Sequence, residues 1–173
     1  MMLRIVFIGL MVFSQVLFAT TRTPEFINVK ADPAVDDFCH KVGKKLSSVS
    51  TKECLAIGFA TPRFYSVDGL PIVEKHFRAA HEGAPKILFI GGIHGDEYSS
   101  VSVTFKWLST LLKHHSGAFD WHFLPLANPD GLLQKRSSRV NANEVDLNRN
   151  FEPADGFPEP LKHWQERAKK RAR

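Results

Sequence analysis

Residues 86–127 read KILFIGGIHGDEYSSVSVTFKWLSTLLKHHSGAFDWHFLPLA. The opening KILFIGG is an apolar run closed by two glycines, which is typical of a buried strand, and WHFLPLA predicts a second strand. Ser99 or Ser100 can cap a helix between them. The buried face of that helix is predicted to carry Val101, Phe105, Leu108 and Leu112. A strand, a helix and a strand in this order form a βαβ unit. We therefore predict an α/β fold with a mixed or parallel sheet and helices on both faces.

The flanking segments predict further elements. Residues 34–48 place apolar side chains four apart, which predicts a helix. Residues 55–60 and 70–76 are candidate strands, with the turn signal SVDG between them. NPDG at 128–131 is a strong turn signal. A last helix is predicted over 159–173.

The first nineteen residues have the layout of a secretory signal. Arg4 precedes an apolar run, and small Ala19 stands before the expected cut. The alternative is a membrane anchor, but the apolar run, broken by Ser14 and Gln15, is short of the ~20 residues of a span. We predict that 1–19 is a cleaved signal peptide, that 20–173 is the functional domain, and that the protein is periplasmic or secreted with no stable membrane span.

Export to an oxidising compartment bears on the two cysteines, Cys39 and Cys54. In an exported protein, a single pair of cysteines favours a disulfide. A disulfide that closes a loop of this length would stabilise the fold by ~3 kcal/mol. Two buried thiols are the alternative that the sequence leaves open.

The charge distribution argues against a nucleic-acid partner. Residues 20–161 hold 16 Lys and Arg against 17 Asp and Glu, whereas 162–173 hold six basic residues and one acid. The basicity therefore lies in one terminal segment and not on a face of the domain. The sequence does not indicate an oligomeric state.

His94 and Glu97 follow the first predicted strand, where functional sites of α/β sheets lie. Their spacing in a tight turn can direct an imidazole and a carboxylate at one point, which suits Zn²⁺. The alternative is a histidine at a helix start with a capping acid.

Three polar residues later in the chain, Arg139, Asn148 and Arg149, are typical of sites that bind anions. A guanidinium makes two parallel bonds to a carboxylate, and beside a metal it can stabilise an oxyanion. For any single arginine, a surface ion pair is the commoner role.

The segments GGIHGDE (91–97), NPDG (128–131) and R-x-NAN-x-VDLNRNF (139–151) occur in the order found in the zinc carboxypeptidases, and the sequence most resembles the bacterial murein peptide amidase A group. The resemblance implies that His94 and Glu97 are two of three Zn²⁺ ligands and that Arg139 is catalytic and contacts substrate at the oxyanion. It also implies that Asn148 and Arg149 bind the substrate carboxylate. The implied substrate is a peptidoglycan stem peptide, such as the γ-D-Glu–diaminopimelate bond.

Two departures accompany the resemblance. The third ligand, a His, and the general base, a Glu, lie further downstream in the family than Arg173, so we expect residues 20–173 to be the N-terminal part of such a domain, with the C-terminal half missing and the site incomplete. No histidine elsewhere, His122 included, has spacing that suggests a substitute. Glu144 stands where the family usually has Gly, which predicts strain if the turn needs a positive φ.

Two other functions remain open. One is an N-acyl amino acid deacylase related to aspartoacylase and succinylglutamate desuccinylase, which share a His-Gly-x-Glu motif and a DLNR segment. The other is an inactive, cell-wall-binding remnant. NPDG and NRNF favour the peptidase.

Overall fold

The computed structural model describes residues 31–149 together with the single residues 151 and 166. The predicted signal peptide, 1–19, lies outside the described residues. So does the predicted helix over 159–173, Glu166 excepted.

A three-stranded mixed sheet forms the centre of the fold. Its strands are β3 (Lys75–Phe77), β4 (Lys86–Ile90) and β5 (Asp120–Leu124), in the order β3-β5-β4. β4 runs parallel to β5, and β3 is antiparallel to β5. Helix α3 (Tyr98–His114) connects β4 to β5, so the predicted βαβ unit and mixed α/β class are confirmed. A separate hairpin pairs β1 (Phe64–Tyr65) with β2 (Pro71–Ile72), and the SVDG turn joins them.

Two helices precede the sheet. Helix α1 (Pro33–Lys45) begins at the Asp32 cap, close to the predicted position. Helix α2 (Thr51–Ala56) takes part of a segment for which we predicted a strand. That prediction was wrong because Ser50 and Glu53 form a capping box, which satisfies backbone donors at the first turn and starts a helix. Cys39 in α1 and Cys54 in α2 are fully buried and form a disulfide with Cα atoms 5.4 Å apart.

The apolar core lies on one face of the sheet. Phe89 and Phe123 stack there, and a chain of edge-to-face rings runs from Phe38 of α1 through Phe59 to Phe105 of α3. The opposite face, which we call the outer face, carries the other side chains of β4 and β5, and Leu88 on it is 63% exposed. Within the described residues, α3 packs against the apolar face, and α1 joins the same core through Phe38.

The ends of α3 and the NPDG segment differ from prediction. The helix begins after Glu97 without a side-chain cap, not after Ser99 or Ser100, and Leu112 is exposed. NPDG opens helix α4 (Pro129–Leu133) because Asn128 caps it and Pro fits its first turn. No helix in the described ranges is long and apolar enough to cross a membrane.

Candidate metal centre

The turn after β4 carries the first candidate ligands beyond the carboxyl end of the sheet. A hydrogen bond holds the turn against the end of β5, where the Gly91 N–H donates to Leu124 O at 2.8 Å. Gly92 has φ 58°, and a Cβ there would lie 2.7 Å from the Leu126 side chain. A Cβ on Gly95 would lie 2.1 Å from the backbone carbon of Gly131. The glycines therefore let this turn pack against the chain that follows β5.

His94 and Glu97 meet in this turn. His94 Nδ1 lies 2.9 Å from Glu97 Oε1, so the two atoms that would bind a metal face each other. The imidazole is buried, and the Glu97 side chain is 51% exposed. Two ligands of a tetrahedral Zn²⁺ stand roughly 3.3 Å apart for bonds of ~2.0 Å. The observed pair lies close to that separation.

Asp146 holds the other nitrogen of the same ring. His94 Nε2 lies 3.2 Å from Asp146 Oδ1, and both groups are buried. If Nε2 carries the proton and donates a hydrogen bond to the carboxylate, Nδ1 keeps a lone pair for a metal. Asp146 was not among the site residues predicted from the sequence. Its position as a lone acid between Val145 and Leu147 was the available signal, since an acid among apolar neighbours often has a specific partner.

Arg139 links the two carboxylates around His94. Its Nε donates to Asp146 Oδ2 at 3.0 Å, and its Nη1 lies 3.4 Å from Glu97 Oε1. Burial would raise the pKa of Asp146, but the hydrogen bond and charge of Arg139, with bonds from the Asn148 N–H and His94, lower that pKa below its ordinary value. Asp146 is therefore an anion at neutral pH, as a partner of a metal-binding imidazole should be.

Asn148 and Arg149 lie next to this group on a 3-10 turn, Leu147–Arg149. The Asn148 N–H donates to Asp146 Oδ1 at 3.0 Å, which fixes the turn to the site. Both side chains are exposed, and Arg149 Nη1 donates to the Asn148 carbonyl oxygen at 3.0 Å. The structure thus brings His94, Glu97 and Arg139 together and leaves Asn148 and Arg149 facing solvent beside them.

The ligand atoms of His94 and Glu97 are of the types that Zn²⁺ prefers, because imidazole nitrogen and carboxylate oxygen are its usual ligands. A catalytic zinc takes three protein ligands. Within residues 31–149, the group of three metal-ligating side chains that the structure gathers is a different one, His76, Asp120 and His122.

Comparisons with known proteins identify the family of the chain. The family model described as zinc carboxypeptidase matches residues 47–172. Murein peptide amidase A of Escherichia coli K12 is 36% identical over 111 residues, which cover 56% of this chain and 39% of the relative. Carboxypeptidase SOL1 of Arabidopsis thaliana is 34% identical over 120 residues, covering 62% of this chain and 24% of the relative.

A solved structure supports the fold. A proposed carboxypeptidase from Burkholderia mallei aligns with a TM-score of 0.50 at 21% identity, covering 64% of this chain and 33% of that one. The murein-tripeptide amidase of Escherichia coli O157 is 32% identical over 54% of this chain and 36% of its own, with a TM-score of 0.39. The chain thus spans well under half the length of these relatives.

Proposed function

The chain belongs to the zinc carboxypeptidase family, and from that premise we propose that its protein hydrolyses peptidoglycan stem peptides at a zinc site that includes His94 and Glu97. The family makes it a zinc metallopeptidase. The observation that carries the proposed site is the 2.9 Å approach of His94 Nδ1 to Glu97 Oε1, with Arg139 beside them.

His94 and Glu97 would hold the zinc, which supplies Lewis-acid polarisation of the scissile carbonyl and activation of water when it is bound. A catalytic zinc takes three protein ligands, so we place the third ligand outside residues 31–149. Asp146 keeps His94 in the tautomer and orientation that expose Nδ1.

Arg139 is placed to meet negative charge on the substrate. Its guanidinium already spans Glu97 and Asp146, so its position is set before substrate arrives. In the proposed reaction, it donates to the oxygen of the attacked carbonyl as that oxygen gains charge, and this preorganised donor lowers the barrier.

Asn148 and Arg149 would select a substrate with a free carboxylate. Their exposed side chains adjoin the site through the bond from the Asn148 N–H to Asp146. An exposed guanidinium can bind a carboxylate through two parallel hydrogen bonds. The likeness to murein peptide amidase A supports a stem peptide as the source of that carboxylate. A substrate in the cell wall agrees with the predicted export by residues 1–19.

The test is a hydrolysis assay on the protein expressed from its own gene, with a muropeptide, the same peptide with its carboxylate amidated, and an N-acetyl amino acid. We expect cleavage of the first alone. Arg149→Ala should raise KM for it with a small effect on kcat, and Glu97→Gln should abolish turnover and lower the zinc content by one ion per chain.

Three results would overturn the proposal. Cleavage of the N-acetyl amino acid in preference to the peptide would assign a deacylase. Muropeptide binding without turnover and without zinc at the His94–Glu97 pair would assign a binding protein. Equal cleavage of the free and amidated peptides would remove the role given to Arg149.

A further inference from the structure

A second cluster of metal-ligating side chains lies on the outer face of the sheet. Asp120 and His122 are two residues apart on β5, so their side chains project from the same face. His76 stands directly opposite His122 on the antiparallel strand β3, and the two imidazoles stack with centroids 3.9 Å apart. Strand register, and not a flexible loop, therefore gathers the three groups.

The donor atoms converge on one point. His76 Nε2 lies 2.8 Å and His122 Nε2 lies 3.3 Å from the same oxygen, Asp120 Oδ1. The ligand atoms of all three side chains lie within 4.8 Å of one another. The other carboxylate oxygen, Oδ2, accepts from the Ala79 N–H at 3.5 Å. This backbone contact orients the carboxylate so that Oδ1 faces both rings.

Burial and charge also suit a bound cation. The side chains of His76, Asp120 and His122 are 29%, 20% and 46% exposed, which restricts their rotamers and still leaves an entry path. Two stacked imidazolium rings would repel each other, whereas two neutral rings and one carboxylate present three lone pairs. Imidazole and carboxylate are ligands of Zn²⁺ and of its first-row neighbours.

We propose that His76, Asp120 and His122 form a binding site for a divalent transition metal such as Zn²⁺, separate from the pair His94 and Glu97. The cluster lies at the start of β5, and His94 lies beyond the opposite end of the neighbouring strand β4. A metal there would link β3 to β5 through side chains as well as backbone bonds. Its role is therefore to stabilise the edge of the sheet.

The test uses the 173-residue chain with His94→Gln and Glu97→Gln, so that zinc at the first site does not contribute. Titration calorimetry with Zn²⁺ should show one ion per chain. His122→Gln or Asp120→Asn in this background should weaken binding at least tenfold, since even changes to partners of metal ligands cost 10- to 100-fold. His40→Gln, at an exposed histidine of α1, is the matched control and should leave the affinity unchanged.

A second measurement needs no substitution in the cluster. Co²⁺ added below stoichiometry to the unsubstituted chain should broaden the imidazole NMR signals of His76 and His122 before those of exposed His40 and His81. The proposal is overturned if all histidines respond together, if His94 alone responds, or if the background variant binds no ion. In each case, the three side chains are a hydrogen-bonded network only.

Discussion

The Nε2 atom of His94 lies 3.2 Å from Oδ1 of Asp146, which follows it by 52 positions in the chain. Arg139 donates to the other oxygen of the same carboxylate, so Asp146 is fixed from both sides. A ring held in this way cannot rotate Nδ1 away from Glu97 without losing a buried hydrogen bond. The direction of the candidate ligand is therefore set by a residue that does not itself point at the metal position.

Asp146→Asn should weaken zinc binding at the His94–Glu97 pair by about 10- to 100-fold, because the amide keeps the shape but loses the charge that supports the imidazole. The affinity is measured by competition with a chromophoric chelator, in a His122→Gln chain so that the outer face does not contribute. Asp96→Asn, at an exposed acid of the same turn, is the control. Equal losses in both variants would show a general charge effect.

The lowered pKa of Asp146 predicts a pH-dependent contribution to folding. A carboxyl whose folded pKa lies below its unfolded value of ~3.9 stabilises the fold above that value, and the contribution is lost as pH falls through the folded pKa. The difference in unfolding free energy between the unsubstituted chain and Asp146→Asn should therefore shrink as pH falls below about 4. Urea unfolding with a chelator present, from pH 5 to pH 2, measures it. A difference that stays constant would show that only shape and hydrogen bonding matter.

The sequence predicted the parts of the fold that rest on long periodic segments. The unit of β4, α3 and β5 and the helix α1 were predicted from apolar runs, their spacing and the residues that end them. The strand prediction at 55–60 was wrong because a short apolar run fits a strand and a helix equally well. The capping box at Ser50 decides between them. The prediction of a turn at NPDG was wrong for a related reason, since the residues that begin a turn also begin a helix.

The candidate site, too, could be predicted only in part from the sequence. His94 and Glu97 are close in sequence, and their approach could be predicted from the turn. Arg139 was selected by type and motif, but its contact with Glu97 depends on how the segment after α4 folds back. Asp146 and the His76–Asp120–His122 cluster were missed because each depends on pairing between distant segments. No local pattern encodes the register that places His76 opposite His122.

Gly95→Ala should destabilise the fold by about 2 kcal/mol or more, because the new Cβ would meet backbone atoms of Gly131 and Leu132 at 2.1 and 2.3 Å. Backbone cannot move aside as a flexible side chain can. Gly83→Ala is the comparison: it has φ 78° and open space around it, so it should cost ~1 kcal/mol from conformation alone. Chemical denaturation ranks the two. A larger loss for Gly83→Ala would contradict the close approach of the turn to α4.

Reducing the Cys39–Cys54 disulfide should lower the free energy of unfolding by about 3 kcal/mol, since it closes a loop with a sequence separation of 15 and joins α1 to α2. Reduction is preferable to substitution because both sulfurs are fully buried and their removal would also leave a cavity. Unfolding curves with and without reductant measure the change. A Cys39→Ser, Cys54→Ser chain should no longer respond to reductant. No change on reduction of the unsubstituted chain would show that the thiols stabilise the fold equally well unbonded.

Glu144 is the described non-glycine residue with a positive φ, 58°, in the turn where the Glu144 N–H donates to Asn141 O at 2.9 Å. A side chain in the left-handed region costs about 1–2 kcal/mol, whereas a glycine costs about 0.4–1 kcal/mol through the greater entropy of the unfolded chain. The first effect is larger, so Glu144→Gly should stabilise the fold by about 0.5–1 kcal/mol. Glu144→Ala is the matched control, because it removes the carboxylate and keeps the Cβ. If Ala stabilises as much as Gly in urea unfolding, the gain comes from losing the charge and not from the backbone.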